Sequence, residues 1–155
     1  SKAYAMTGWR IGYLAAAEWI VKGCNKLQGQ YTSGPCSVSQ MASLEAYTGS
    51  QEPVEEMRKA FERRRNLIVK LGREIPGFEV NEPQGAFYLF PDISSFGLDS
   101  KTFCDRLLDE AGVVCVPGSA FGSVGEGFIR MAYTAETDKI AEAMDRIKKF
   151  CAKLY

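Results

Sequence analysis

Histidine is absent from all 155 residues, and cysteine, although present, never occurs as a C-x-x-C pair. Without an imidazole, catalysis by Ser-His-Asp or Cys-His groups is excluded. The five cysteines are scattered and odd in number, so we expect no metal site and no disulfide framework. Free cysteines are typical of a reducing compartment, and we therefore expect a cytoplasmic protein.

The sequence also lacks an excess of charge of either sign and any long apolar run. Lysine plus arginine and aspartate plus glutamate both number 19, so the formal net charge is zero. Such a balance gives no long-range field that would attract nucleic acid or an anionic membrane. No apolar run approaches the roughly 20 residues of a membrane-spanning helix, and no signal peptide is visible. We therefore expect a small-molecule or protein partner.

What the sequence does contain is a clear hydrophobic periodicity. At 46% hydrophobic residues, the chain can bury one core but is too short for two complete domains. Helical spacing predicts helices over 18–28, 38–47, 52–74, 100–111 and 136–154. Short apolar runs predict strands over 9–17, 78–80, 85–90, 113–116 and 128–133. The order indicates an α/β layer, a small sheet covered by helices and led in by a long helix.

The opening residues, SKAYAMTGWRIG, combine a lysine, an arginine and two glycines at a fixed spacing. Taken alone, Lys2 would be interpreted as a solvated side chain near a chain end. Arg10, however, follows it by eight positions, with Gly8 before the arginine and Gly12 after it. Glycine at these positions lets the backbone pass close to a ligand or to a neighbouring strand.

This stretch resembles the lysine attachment signature of the class I and II pyridoxal-phosphate-dependent aminotransferases, the aspartate aminotransferase-like enzymes of fold-type I. The resemblance implies that the Lys2 amine forms a Schiff base with the aldehyde of pyridoxal 5'-phosphate. It also implies that the planar Arg10 guanidinium binds the cofactor phosphate. Lys2 would in addition be the catalytic base that moves a proton at the substrate α-carbon.

Another candidate arginine, Arg130, lies far downstream, in the segment GEGFIRMAY. Arg130 stands inside an apolar strand pattern, where an unpaired guanidinium would be costly. From the residues alone, a structural ion pair with an acidic side chain is the favoured interpretation. This segment is similar, however, to the family segment whose arginine binds the substrate α-carboxylate, and a bidentate pair of that kind fits every amino acid. The resemblance therefore implies that Arg130 is the substrate-binding residue.

Two further segments, 83–90 and 116–122, resemble the glycine-aromatic strand and the mobile substrate loop of the same family. Gly85 and Phe121 are candidates for lining the pocket, although a turn glycine and a core aromatic are equally consistent with the pattern. The segment 32–35, with Gln40, resembles a stretch that lies near the dimer interface in this family, so Ser33 is a candidate for a contact across such an interface. The resemblance covers essentially the whole chain, with its segments in family order.

The resemblance also implies a domain organisation. Residues 1–49 would be the end of the large cofactor-binding domain, and residues 50–155 would be the small C-terminal domain of a fold-type I enzyme. The preceding half of such enzymes supplies the remaining cofactor contacts, and none of these is found in this sequence. We therefore expect the chain to be a fragment that is inactive alone, and the complete enzyme to be a homodimer.

The activity implied is transfer of an amino group between an amino acid, aspartate or a related one, and a 2-oxo acid. A carbon-sulfur β-lyase and an aminocyclopropane-carboxylate-synthase-like enzyme share the fold, the lysine and the arginines, so both stay open as alternatives. An alternative of another class is a non-catalytic α/β interaction module that retains the motifs. Product analysis with a 2-oxo acid would separate the enzymes, and a gene that continues upstream would exclude the module.

Overall fold

The structure, a computed structural model, describes residues 1–154 and consists of two compact units. The first unit is Ser1–Arg58, and the second begins at Lys59. The change from one unit to the other falls inside a single long helix, α3 (Glu52–Arg73). The functional division predicted from the sequence, 1–49 and 50–155, stays a prediction.

The first unit consists of helices α1 (Glu18–Tyr31) and α2 (Ser37–Thr48), the start of α3, and a short 3-10 helix at Thr7–Trp9. Both predicted helices in this unit are confirmed, and α2 ends at Gly49 as predicted. A side chain at position 49 would meet the backbone carbonyl oxygen of Glu45 at 2.7 Å, so only glycine fits this turn.

The first unit buries very little of its apolar surface. No residue of α1 is buried, and Ser39 is the buried residue of α2. Large apolar side chains are exposed throughout the unit: Trp9, Tyr13, Leu14, Trp19, Val21, Leu27, Tyr31, Val38, Met41, Leu44 and Tyr47. An exposed apolar surface of this extent is typical of a face that other polypeptide covers.

The strand predicted over residues 9–17 is wrong. Trp9 ends the 3-10 helix, and residues 10–17 have no regular secondary structure. A strand requires a hydrogen-bonded neighbour, and residues 10–17 pair with no strand of the chain between 1 and 154. Tyr13 and Leu14 are exposed, so the apolar run is not buried within its own unit.

The second unit has a three-stranded antiparallel sheet in the order β1-β3-β2. The strands are β1 (Tyr88–Leu89), β2 (Val116–Pro117) and β3 (Ile129–Ala132). They are shorter than predicted, and the strand predicted at 78–80 is reduced to one bridge between Glu79 and Asp92. Apolar runs indicate where strands lie, whereas pairing partners distant in sequence decide how long they are.

Three helices pack with this sheet around one core: the later part of α3, α4 (Ser100–Ala111) and α5 (Thr137–Cys151). Helix α4 has the bounds predicted for it, because the Asp99 carboxylate accepts a hydrogen bond from Thr102 N at its start and Gly112 adopts a left-handed conformation at its end. The most buried large side chains of the core are Ile75, Leu89, Ile93, Phe103, Leu107, Ile129, Tyr133, Ile147 and Phe150. Among the helices of residues 1–154, none has the length and apolar character needed to cross a membrane.

Candidate functional site

Lys2 lies at the start of a tight turn on the surface of the first unit. The turn is closed by hydrogen bonds from Ala5 N to Lys2 O (3.2 Å) and from Met6 N to Ser1 O (2.7 Å). Met6 is the buried residue that anchors it. The Lys2 side chain is exposed, and within residues 1–154 its amine has neither an ion-pair partner nor a hydrogen-bond acceptor. The amine is therefore available for a ligand.

Arg10 ends the short 3-10 helix in a left-handed backbone conformation, with φ 50° and ψ 51°. Few residues other than glycine, asparagine and aspartate adopt this conformation, which is enriched at functional sites. The guanidinium donates a 3.2 Å hydrogen bond from NH1 to the Thr7 carbonyl oxygen. No carboxylate between residues 1 and 154 pairs with it, so its other donors are open to an anion.

Helix α2 holds the Lys2–Arg10 segment in place. The buried Ser39 hydroxyl donates a 2.8 Å hydrogen bond to the Trp9 carbonyl oxygen, directly before Arg10. Tyr4 donates a hydrogen bond of 3.1 Å to Gln51 Oε1, and its ring meets that of Tyr47 edge-on at 5.6 Å. Between the segment and α2 lies a cavity of about 460 Å³, whose lining includes Tyr13.

Arg130 lies on β3, the central strand of the sheet in the second unit, and is half-buried. Its guanidinium carbon is 4.4 Å from the centre of the Tyr88 ring and 4.6 Å from the centre of the Phe121 ring. Both distances are well inside the about 6 Å range of cation–π attraction. Two aromatic rings therefore contact the guanidinium.

The ion pair that the residues alone favoured for Arg130 is not present. Within residues 1–154, no aspartate or glutamate lies within ion-pair distance of this guanidinium. The cation contacts the faces of two rings rather than a carboxylate. A partly desolvated guanidinium without a fixed counter-ion is suited to bind an external carboxylate in the bidentate manner.

Phe121 is carried by a loop that is folded tightly on itself. The loop contains 3-10 helices at Gly118–Phe121 and Ser123–Gly125. Gly118 N donates a 2.8 Å hydrogen bond to the Phe128 carbonyl oxygen, and a side chain at either Gly118 or Gly125 would overlap the backbone of the other. The two glycines thus permit a backbone crossing that no larger residue allows.

A polar network fixes the same loop to the start of α4. Glu126 accepts hydrogen bonds from Ser100 N (2.6 Å) and from the fully buried Ser100 hydroxyl (3.0 Å). Ser119 lies 3.1 Å from the same hydroxyl. The hydrogen bond from the Ser100 N–H, and next the one from the Gly127 N–H, lower the pKa of the Glu126 carboxyl. This carboxylate is therefore charged at neutral pH, and its oxygens are engaged by these donors.

The structure thus places the sequence candidates in two groups. Lys2 and Arg10 are in the first unit, whereas Arg130 and Phe121 are in the second, where they are in contact. Sequence reasoning missed Tyr88, the other ring on Arg130. Tyr88 and Phe90 are two positions apart in FYLF, so they lie on the same face of the strand. This spacing was the sequence signal for an aromatic face beside Arg130.

Comparison with known proteins gives consistent matches along the chain. The family model "Aminotransferase class I and II" matches residues 1–147. Aspartate aminotransferase of Pyrococcus horikoshii is 43% identical over 96% of this chain and 39% of its own length. Aromatic-amino-acid aminotransferase 2 of Thermococcus litoralis is 47% identical, with the same two coverages of 96% and 39%.

Solved structures agree with the family match. The chain superposes on an aromatic aminotransferase from Pyrococcus horikoshii with a TM-score of 0.94 and 42% identity, covering 99% of this chain and 42% of that one. The predicted α/β fold, that of part of a fold-type I aminotransferase, is confirmed. The chain spans about 40% of the length of the curated relatives that it matches. Over that length, the chain belongs to the class I and II aminotransferases.

Proposed function

We propose that this chain is part of an enzyme that transfers the amino group of an amino acid to a 2-oxo acid, with pyridoxal 5'-phosphate as cofactor. In this proposal Lys2 and Arg10 hold the cofactor, and Arg130 binds the α-carboxylate of the substrate. Residues 1–49 serve as the end of the cofactor domain, and residues 50–155 as the small domain. Family membership supports the reaction class, and the geometry of the three side chains supports the roles.

Lys2 and Arg10 fit the cofactor by their chemistry. The exposed Lys2 amine has no competing partner within residues 1–154, and the Arg10 guanidinium has donors open for a phosphate. Bound pyridoxal phosphate supplies an electron sink that makes the substrate α-proton acidic. Lys2 then accepts that proton at Nζ and returns it, which is general acid–base work for an amine near the reacting carbon.

The observation that carries the proposal is the environment of Arg130. The guanidinium is half-buried over two rings, and no carboxylate within residues 1–154 neutralises it. A free α-carboxylate is the group common to every amino acid and 2-oxo acid, so one arginine serves both halves of the reaction. The favoured donor is aspartate, which the names of several relatives support.

The complete enzyme contains polypeptide in addition to these residues and acts as a cytoplasmic homodimer. The exposed apolar side chains of α1 and α2 support the need for further polypeptide. The relatives are also longer than this chain, which spans about 40% of them. On this proposal the chain alone is inactive.

The test uses the full-length enzyme, with Arg130→Lys as the informative variant. Lysine keeps the charge but loses the planar fork, so affinity for the amino donor should fall by on the order of 2 to 5 kcal/mol. The cofactor dissociation constant should hardly change. Steady-state kinetics with a panel of amino acids measures the effect on the donor, and cofactor titration measures the dissociation constant of the cofactor.

Lys2→Ala tests the cofactor role separately, because it should abolish covalent attachment of the cofactor and nearly all turnover. Borohydride reduction of the wild-type enzyme followed by peptide mapping identifies the attached lysine. Attachment at another lysine would show that the role given to Lys2 is wrong. Unaltered donor kinetics in Arg130→Lys would remove the role given to Arg130.

A further inference from the structure

The two rings on Arg130 leave its hydrogen-bond donors unoccupied. The five N–H groups of a guanidinium lie in its plane and point outward from its edges. Cation–π attraction acts between the positive charge and the face of an aromatic ring and requires no lone-pair acceptor. Within residues 1–154, no oxygen accepts a hydrogen bond from the Arg130 guanidinium, so the contacts of 4.4 Å to Tyr88 and 4.6 Å to Phe121 hold the cation while its donors keep no protein acceptor.

Tyr88 is supplied by the sheet itself. In the antiparallel pair of β1 and β3, Tyr88 is opposite Ala132, so Arg130 is its diagonal neighbour. Diagonal neighbours in a sheet are within reach of aromatic and long side chains. The Tyr88 ring also contacts the Phe87 ring at 4.6 Å, which limits its freedom to rotate away. The contact between the Tyr88 ring and the guanidinium therefore follows from the register of β1 and β3.

Phe121 comes from the loop and is half-exposed, so it requires separate support. Its ring meets Phe90 edge-on at 6.1 Å, and Phe90 stacks on Phe128 at 5.3 Å with nearly parallel planes. The Gly118 and Gly125 crossing and the Ser100–Glu126 bonds fix the loop backbone on either side. The second contact is therefore held by a row of rings and by a rigid loop.

We infer that Tyr88 and Phe121 are positioning residues for the carboxylate arginine, taking the place of a protein counter-ion. An aspartate or glutamate in this place would also hold Arg130, but each substrate would have to displace it. The rings orient the guanidinium and leave it charged and unpaired. This inference rests on the proposed function of Arg130 and assigns the residues that determine how strongly the site prefers substrates with an α-carboxylate.

The experiment uses the full-length enzyme and compares an amino acid with the amine that lacks its carboxylate. The readout is the ratio of kcat/KM for the two substrates, which a loss of folded protein or of cofactor does not alter. Tyr88→Leu and Phe121→Leu remove a ring but keep apolar bulk. Tyr88→Phe and Phe121→Tyr keep the ring. Phe78→Leu removes a core ring that contacts Phe96 and not Arg130, and is the control for general destabilisation.

Each leucine variant should lower the ratio by roughly 2- to 30-fold, the range of one cation–π contact. The ring-keeping variants should stay near wild type, and Phe78→Leu should leave the ratio unchanged. A ratio unchanged in both leucine variants, but lowered in Arg130→Lys, would overturn this inference and leave the proposed function intact. A ratio unchanged in Arg130→Lys as well would overturn the role of Arg130 itself.

Discussion

At the scale of single residues, the backbone of Arg10 is the most informative feature. A left-handed conformation costs an ordinary residue roughly 1 kcal/mol, and glycine adopts it freely. Arg10 nevertheless occupies it, at φ 50°. Ala5, Ser33 and Ala86 also have a positive φ, so the strain alone assigns no role. Strained residues cluster at functional sites, however, and Arg10 is the one of these four with a cationic side chain that can bind an anion.

This strain predicts opposite effects on stability and on cofactor binding. Arg10→Gly relieves the strain, so the full-length enzyme should unfold within about 1 kcal/mol of wild type. Its affinity for pyridoxal phosphate should fall clearly. The affinity of the Arg10→Lys enzyme should fall less, because lysine keeps the positive charge. Thermal unfolding and cofactor titration measure the two effects. Wild-type affinity in Arg10→Gly would exclude the phosphate role.

At the scale of elements, the loop between β2 and β3 depends on its glycine crossing. Gly118→Ala would place a methyl group against the Gly125 carbonyl, and the loop would have to move. We expect a loss of about 1 to 3 kcal/mol in the free energy of unfolding, as for overpacking in a core, together with displacement of Phe121. Gly85→Ala, where nothing lies within 4 Å of the added group, is the control.

Denaturant unfolding checks this prediction directly. Equal stability of the Gly118→Ala and Gly85→Ala enzymes would show that the loop relaxes without cost. In that case the loop could not be regarded as a rigid support for the Phe121 ring.

Local signals explain which elements could be predicted from the sequence. The bounds of α4 follow from Asp99 and Gly112, which lie next to the helix in sequence. The strands depend on partners far along the chain. The strand predicted at 78–80 is therefore only a single bridge, and the segment predicted as a strand at 9–17 has no pairing partner in its unit. The apolar surroundings of Arg130 indicated that its guanidinium needs a partner, but the ion pair inferred from them is absent within residues 1–154, and the substrate role rests on the resemblance. The contact of Arg130 with Phe121 could not be inferred, because the fold of the loop brings the two together.

At the scale of the whole molecule, the cysteines distinguish the two units. Cys24 and Cys36, in the first unit, are exposed. The backbone N–H of Ser39 lowers the pKa of the Cys36 thiol. In the second unit, burial raises the pKa of Cys104 to about 11 and of Cys115 and Cys151 to about 12. The thiolate is the reactive form, so these three should be inert near neutral pH.

Alkylation at neutral pH, read by mass spectrometry, should therefore label Cys24 and Cys36 in the native chain and all five cysteines in denaturant. Cys36 should react appreciably at a lower pH than an ordinary thiol. Rapid native labelling of Cys104 or Cys151 would show that the core of the second unit opens readily.

The isolated chain of 155 residues provides a second test at this scale. The core from α3 to α5 is continuous and well packed, so the second unit should unfold cooperatively. On the proposed function, stable binding of pyridoxal phosphate should fail, because Lys2 and Arg10 are both exposed and would be only two of the groups that hold the cofactor. Circular dichroism, visible absorbance during cofactor titration and an aminotransfer assay measure these outcomes. Tight lysine-specific binding with turnover would show that no further polypeptide is needed.

The exposed apolar surface of the first unit has an optical consequence. Both tryptophans of the chain, Trp9 and Trp19, belong to this unit, and they are 45% and 76% exposed. The second unit contains only tyrosine and phenylalanine as aromatic residues. Tryptophan fluorescence excited at the red edge therefore reports the first unit alone. A blue shift of its emission would therefore signal that polypeptide covers Trp9, Trp19 or both.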